Sequence, residues 1–163
     1  MTFEEFAATR MPALLAFAAV LAGDRAGAED LAQEVLVRAY LRWDKISRLD
    51  RPEWYVRKMI LNEFLSWRRR SRRQATAAGL DTDRASSAPD HAELYGEREA
   101  LLSRLGQLPR RQRAVLVLRY YEDRDDAEIA KLLGCTPGTV RGYASRALAA
   151  LRIEMSPQPK ART

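Results

Sequence analysis

Residues Asp125–Arg141 constrain this chain more than any other stretch. They read Asp-Asp-Ala-Glu-Ile-Ala-Lys-Leu-Leu, then Gly-Cys, then Thr-Pro-Gly-Thr-Val-Arg. Asp125 at a cap position, with Glu128 three residues on, opens a helix in a capping-box-like pattern. Ile129, Ala130, Leu132 and Leu133 supply that helix with a buried side. Gly134 tolerates a positive φ at the turn. Thr136 can cap a second helix, and Pro137 suits its first position. In that helix Val140, Ala144, Ala147, Leu148 and Leu151 share one stripe, which leaves Arg141, Gly142, Ser145 and Arg146 facing away. The segment is expected to fold as two helices across a tight turn.

A helix-turn-helix places its second helix in the DNA major groove. There an arginine can hold guanine bidentately or clamp a phosphate, while small residues such as Gly142 and Ser145 let the helix approach the duplex. Arg119, at the end of the preceding helix, is the next candidate for a base edge or the backbone. The plain alternative is an amphipathic helix whose arginines are merely solvated. The order of capped helix, glycine turn and Thr-Pro restart favours the DNA reader.

The rest of the chain is expected to be helical, because glycine and proline are sparse and no long stretch alternates with period two. Helices are expected at Thr2–Leu21, with a break near Pro12, at Arg25–Trp43 and from Pro52 to the arginines at 68–73. Four more should follow at Ala92–Leu105, Arg110–Tyr121, Asp126–Leu133 and Pro137–Ile153. In the second helix Ala28, Leu31, Ala32, Val35, Leu36, Ala39, Tyr40 and Trp43 form the expected core stripe. Residues 74–92 hold small and polar side chains with too little apolar matter to bury, and read as a flexible linker. The expected fold is all-α: two small helical domains, 1–73 and 93–155, joined by that linker, with a disordered tail at 156–163.

Charge supports a polyanionic partner. The net charge is +6, and it divides as +4 over residues 1–73, −2 over 74–92 and +4 over 93–163. Two basic blocks flanking an acidic joint suit nucleic acid, through release of phosphate counterions. The single cysteine, Cys135, excludes an internal disulfide and fits a reducing compartment. The acidic N-terminus does not look like a signal peptide, and the apolar run Leu14–Ala22 is short for a membrane span, so a cytoplasmic protein without a membrane partner is expected.

In the first basic block, Trp54, Tyr55, Phe64 and Trp67 accompany Arg57, Lys58 and the run Arg68, Arg69, Arg70, Arg72 and Arg73. Aromatics beside cations suit single-stranded nucleic acid, with platforms for unstacked bases and positive groups for phosphates. Most of these aromatics also read as core of a small helical domain. On the Arg25–Trp43 helix, Glu29, Asp30, Gln33, Glu34, Arg38 and Arg42 share the opposite face. By spacing alone this is a solvated, internally paired surface.

Two ordered motifs carry a family resemblance. Asp24-Arg25-Ala26-Gly27-Ala28-Glu29-Asp30-Leu31-Ala32-Gln33-Glu34, then Arg38-Ala39-Tyr40, then a Trp-Tyr helix with Asn62 ending in polyarginine, resembles region 2 of extracytoplasmic-function sigma factors. Leu105-Gly106-Gln107-Leu108-Pro109-Arg110-Arg111-Gln112-Arg113 through Gly138–Leu148 resembles region 4. The openings at Leu21–Arg25 and Tyr40–Trp43 are similar to the actinobacterial sigma-E-like subfamily. The resemblance covers about residues 3–73 and 94–153.

The resemblance implies a dissociable promoter-recognition subunit of RNA polymerase with no catalysis, cofactor or metal of its own. Its implied partners are core RNA polymerase, through the β′ clamp helices and the β flap, and promoter DNA. An anti-sigma protein, common for the family, is a further candidate. Glu29, Asp30, Gln33 and Glu34 would form the acidic docking patch on the clamp helices. Asn62 would read an unpaired −10 base, and Lys45–Arg51 would pocket a flipped one. Arg119, Arg141, Gly142, Ser145 and Arg146 match the −35-reading positions. This chain departs from the family at Glu122–Asp126, where Gly-Leu-Ser-Tyr is common, and at Gly142, where a polar residue is more usual. No further domain is expected after region 4.

Two other functions compete. A stand-alone helix-turn-helix regulator binding duplex DNA as a dimer would leave the N-terminal unit without a role. A nucleic-acid enzyme lacks the inventory, because His91 and Cys135 have no base or metal partners at useful spacing, and Glu29, Asp30 and Glu34 lack convergent ligands from elsewhere.

Overall fold

The computed structural model describes the backbone of residues 1–78 and 92–155, and within these the side chains of 1–66 and 96–152. Residues 79–91, most of the expected linker, and the expected tail 156–163 lie outside the described residues. Every regular element among the described residues is helical: α1 (Phe3–Ala22), α2 (Arg25–Leu41), α3 (Trp43–Ile46), α4 (Pro52–Ala78), α5 (Ala92–Gln107), α6 (Arg110–Leu116), a π-helical turn (Val117–Tyr121), α7 (Asp126–Leu133) and α8 (Pro137–Met155).

Helix α1 starts in a full capping box. The Glu5 N–H donates to Thr2 Oγ1 at 3.2 Å, and the Thr2 N–H donates to Glu5 Oε2 at 3.0 Å. The break expected near Pro12 is absent. Pro12 lies exposed within one continuous helix, whose Phe6, Leu14, Phe17 and Leu21 anchor both sides of it in the core. Packing of the apolar face outweighs the lost N–H donor. This helix is long and apolar enough to cross a membrane by length and composition alone, but here its apolar side is spent on the core. Gly23, at φ 82°, ends it, and Asp24 caps α2 through the Gly27 N–H.

Helix α2 stops two residues earlier than its periodicity suggests. Arg42 leaves helical geometry (φ −115°, ψ 15°), and Trp43 restarts the chain as α3. That break lets the Trp43 Nε1–H donate to the Met1 carbonyl at 3.0 Å and lets the ring pack against Phe3 and Phe6. Tyr40 is not core, as its stripe position implied, but 57% exposed and set edge-on to Phe3. The rest of the stripe is buried. Helix α4 runs on to Ala78, past the expected end at Arg73, through residues of good helix propensity. Helix α5 kinks at Gly96 (φ 56°, ψ −138°). The helix expected over Arg110–Tyr121 widens into a π turn for its last five residues.

One cluster of buried side chains runs through both halves of the chain. Phe17, Leu21, Val35, Ile60 and Phe64 from α1, α2 and α4 join Ala114, Val115 and Leu118 from α6 and the π turn, and Ile129 and Val140 beyond them. Leu105, Leu108, Leu116 and Ala147 form a smaller cluster beside it. The two helical units are therefore packed face to face.

Candidate nucleic-acid and partner interfaces

The helix-turn-helix forms as its cap residues dictate. The Glu128 N–H donates to Asp125 Oδ1 at 2.8 Å, Gly134 ends α7 at φ 68°, and the Thr139 N–H donates to Thr136 Oγ1 at 3.1 Å. The capping box is half complete, because the Glu128 carboxylate accepts from Arg124 Nη1 at 3.1 Å instead of reaching back to the cap. Ile129, Ala130, Leu133, Val140, Ala144 and Ala147 are buried. Arg141, Ser145 and Arg146 stand exposed along α8, with Gly142 half-buried between them. A side chain at Gly142 would meet the Arg146 guanidinium, which lies back over the Tyr143 ring at 5.3 Å. A Cβ there would make only ordinary contact with that arginine, from 3.5 Å upward.

Arg119 is differently placed. Its Nη2 donates to both carboxylate oxygens of Asp126 at 2.7 Å, and its Nε to one of them at 3.1 Å. The Asp126 carboxylate raises its pKa above the ordinary arginine value, against a smaller penalty from burial. This acid belongs to the segment where the chain departs from the family pattern.

In the N-terminal unit Asn62 is exposed on α4, between buried Leu61 and Glu63. Arg68, Arg69, Arg70, Arg72 and Arg73 continue that helix backbone, but their side chains and that of Trp67 lie outside the described residues. The expected base-pocketing loop borders a cleft of about 520 Å³ lined by Leu41, Arg42, Asp44, Lys45, Ile46, Leu49 and Tyr55. Its lining combines apolar side chains and the Tyr55 ring with two cations, Arg42 and Lys45, and one carboxylate, Asp44. The other aromatics divide: Phe64 is core, while Trp54 is half-buried beneath the Arg124 guanidinium at 3.8 Å.

On α2, Glu29, Asp30, Gln33 and Glu34 are all exposed, and Asp30, Gln33 and Glu34 line a shallow cleft with Val37 and Arg38. Val37 and Leu41 stand exposed on the same helix. Arg38 ties this face to the core. It donates to Glu34 and to Glu63, each at 2.8 Å, and Glu63 is only 4% exposed. Burial opposes the Arg38 charge, but the hydrogen bonds to Glu63 and Glu34 outweigh it, so its pKa is raised. Among the described residues no three His, Cys, Asp or Glu side chains gather as metal ligands, and Cys135 is a free thiol.

Sequence reasoning gave no role to Arg113, Glu122 or Arg124. Arg113 is 7% exposed and donates to four carbonyls: Leu21 and Ala22 from Nη1, Gly106 and Leu108 from Nη2. Standing in a run with Arg110 and Arg111, it carries no sequence signal that sets it apart from a solvated cation.

Comparison with known proteins agrees with this architecture. The chain matches the Sigma-70 region 2 family over residues 7–74 and the Sigma-70 region 4 family over 98–151. It is 37% identical over 155 residues to the RNA polymerase sigma-E factor of Streptomyces avermitilis, covering 95% of this chain and 86% of that protein. It is 35% identical over 148 residues to the ECF RNA polymerase sigma factor SigL of Mycobacterium tuberculosis, covering 85% and 80% respectively. Among solved structures, the sigma factor RpoE of Bartonella quintana, in complex with the anti-sigma factor NepR, superposes with a TM-score of 0.72 at 25% identity, covering 96% of this chain and 98% of that one.

Proposed function

Because this chain belongs to the extracytoplasmic-function sigma factors of RNA polymerase, which act in transcription initiation, we propose that its exposed faces divide that work residue by residue. The acidic face of α2 (Glu29, Asp30, Gln33 and Glu34) docks on the β′ clamp helices of core polymerase, and region 4 sits against the β flap. Asn62 reads an unpaired base of the −10 element. The cleft beside Lys45 takes a flipped base, and Arg68–Arg73 follow the phosphates. Arg141, Gly142, Ser145 and Arg146 face the −35 duplex, and Arg119 joins them once it leaves Asp126. An anti-sigma protein is a further partner, and the cytoplasm the site of action.

The mechanism needs binding energy and no covalent step. Unpairing costs on the order of a few kcal/mol per flipped base. Stacking on an aromatic or apolar wall returns about 1–3 kcal/mol per base, and the basic helix adds phosphate contacts. The observation that carries the proposal is the pairing of an exposed α8 arginine face with a separate cleft bearing Arg42 and Lys45. A stand-alone regulator would use only the first. Reconstitution with bacterial core polymerase tests it: the mixture should co-elute on gel filtration and start run-off transcripts at discrete sites. Duplex binding without polymerase association would leave the stand-alone regulator as the better account.

Arg141→Ala should weaken initiation from a promoter with an intact −35 element by about ten-fold, equivalent to the roughly 1–3 kcal/mol carried by a bidentate base contact. On a template with a scrambled −35 element the same variant should behave like the parent. An equal loss on both templates would remove Arg141 from base reading.

A further inference from the structure

The contacts between the two helical units are dense, and several are desolvated. Glu122, just after the π turn, accepts from Arg57 Nη1, with the two side chains only 11% and 14% exposed. Arg57 also bonds Glu53 at 3.0 Å and lies over the Phe17 ring, against which Tyr121 stacks. Arg124 covers Trp54, and the Arg110 Nη1 donates to the Phe64 carbonyl at 2.8 Å. Arg113 joins the end of α1 to the α5–α6 turn. Beside it Gly23 meets Gly106 so closely that a Cβ on Gly23 would collide with the Gly106 backbone.

This closed arrangement leaves both reading faces open: Asn62, Arg141, Ser145 and Arg146 are all exposed. What it forbids is their separation. The −10 and −35 elements are 25 positions apart by their own numbering, about 85 Å of B-form duplex at about 3.4 Å per step. A compact chain of 163 residues has a radius of gyration of about 15 Å, and so is roughly 40 Å across. One closed molecule therefore cannot hold both elements, and the interface must part before both are read.

We propose that the acidic turn Glu122–Asp126 is a latch that holds the free protein closed, with the Arg57–Glu122 pair as its releasable bolt. The turn is suited to this because it occupies cations on both sides of the interface. Glu122 takes Arg57 of region 2, Asp126 takes Arg119 of the DNA-reading unit, and Glu128 beyond it takes Arg124. Its consequence for transcription rests on the sigma-factor assignment; closure itself does not. A like-charge pair in this desolvated place would be unpaired and repelling when closed and hydrated when open, so exchanging one partner for its opposite charge should open the molecule, and exchanging both should close it again.

Spin labels on the native Cys135 and on an Ala8→Cys variant, exposed on α1, would report the distance between the units by electron–electron double resonance in the full chain. The free parent should give one narrow distance. E122K should move at least half of the molecules to a longer, broader distribution, and R57E/E122K should restore the narrow one, with unchanged helical circular dichroism throughout. E122K should also need several-fold less core polymerase for half-maximal run-off transcription. A broad distribution in the free parent, or a narrow one that E122K leaves unmoved, would overturn the latch. Correct distances without transcription from any variant would support the latch and sink the sigma-factor assignment instead.

Discussion

Exchanging Asp30 and Glu34 together for lysine is expected to abolish association with core RNA polymerase, with at least a hundred-fold loss of affinity, equivalent to about 3 kcal/mol. Both side chains are exposed on α2 and line the same cleft. Both stand on the solvent side of the helix, where a basic partner would meet them, and their reversal sets like charges against each other across the interface. The two substitutions differ in what else they disturb. Glu34 shares Arg38 with the buried Glu63, so a lysine there repels the guanidinium that Glu63 depends on. Asp30→Lys alone is therefore the cleaner probe, and should cost most of the affinity with an unchanged melting temperature. Isolated region 4 carries neither residue, and should bind −35 duplex as before. Co-elution of the double variant with core polymerase at parental affinity would place the docking surface elsewhere.

What the sequence disclosed follows from the range over which its signals act. The bounds of α7, the Gly134 turn and the Thr136 cap were legible because each depends on residues within a turn of one another. The outward face of α8 was legible because a helical period fixes which residues oppose Val140 and Ala144. The burial of Tyr40 and the end of α2 were misread, while Trp43 lies in the core as its stripe position implied. Trp43 gains Met1, Phe3 and Phe6 where the chain breaks at Arg42, and Tyr40, one turn earlier in α2, meets only the edge of Phe3. The docking of the units was invisible, since it joins Arg57 to Glu122 and Leu21 to Arg113 over 65 and 92 residues of chain. At the candidate sites, the exposure of Glu29, Asp30, Gln33 and Glu34 on α2 and of Arg141, Ser145 and Arg146 on α8 could be read from helical period. The Asp126 partner of Arg119 and the Arg38 bridge between Glu34 and Glu63 required the fold.

Arg113→Met is expected to destabilise the folded chain by about 3 kcal/mol and to lower its melting temperature by about 10 °C. The cation is held on four backbone carbonyls, two of them at the C-terminal end of α1 where a positive charge also meets the helix dipole. Burial, with repulsion from Arg110 and a smaller attraction to Asp24 against them, lowers its pKa to about 10. The unfolded chain therefore binds this proton more tightly than the folded one. That cost is fully present below pH 10 and is relieved only as pH rises from there towards the ordinary arginine value. At neutral pH the group is still charged, and its guanidinium satisfies four carbonyls that the folded chain keeps from water. Methionine removes the penalty along with the donors, but leaves carbonyls of Leu21, Ala22, Gly106 and Leu108 without their guanidinium. Lysine should rescue little, because one compact ammonium cannot reproduce the planar fork that reaches two carbonyls with each nitrogen. Since those carbonyls belong to both units, the loss should also split one cooperative thermal transition into two, for regions 2 and 4 melting apart. Calorimetry of the parent, Arg113→Met and Arg113→Lys decides it: a single transition within 2 °C of the parent in the methionine variant would show that the shared apolar core, and not the arginine, holds the two regions together.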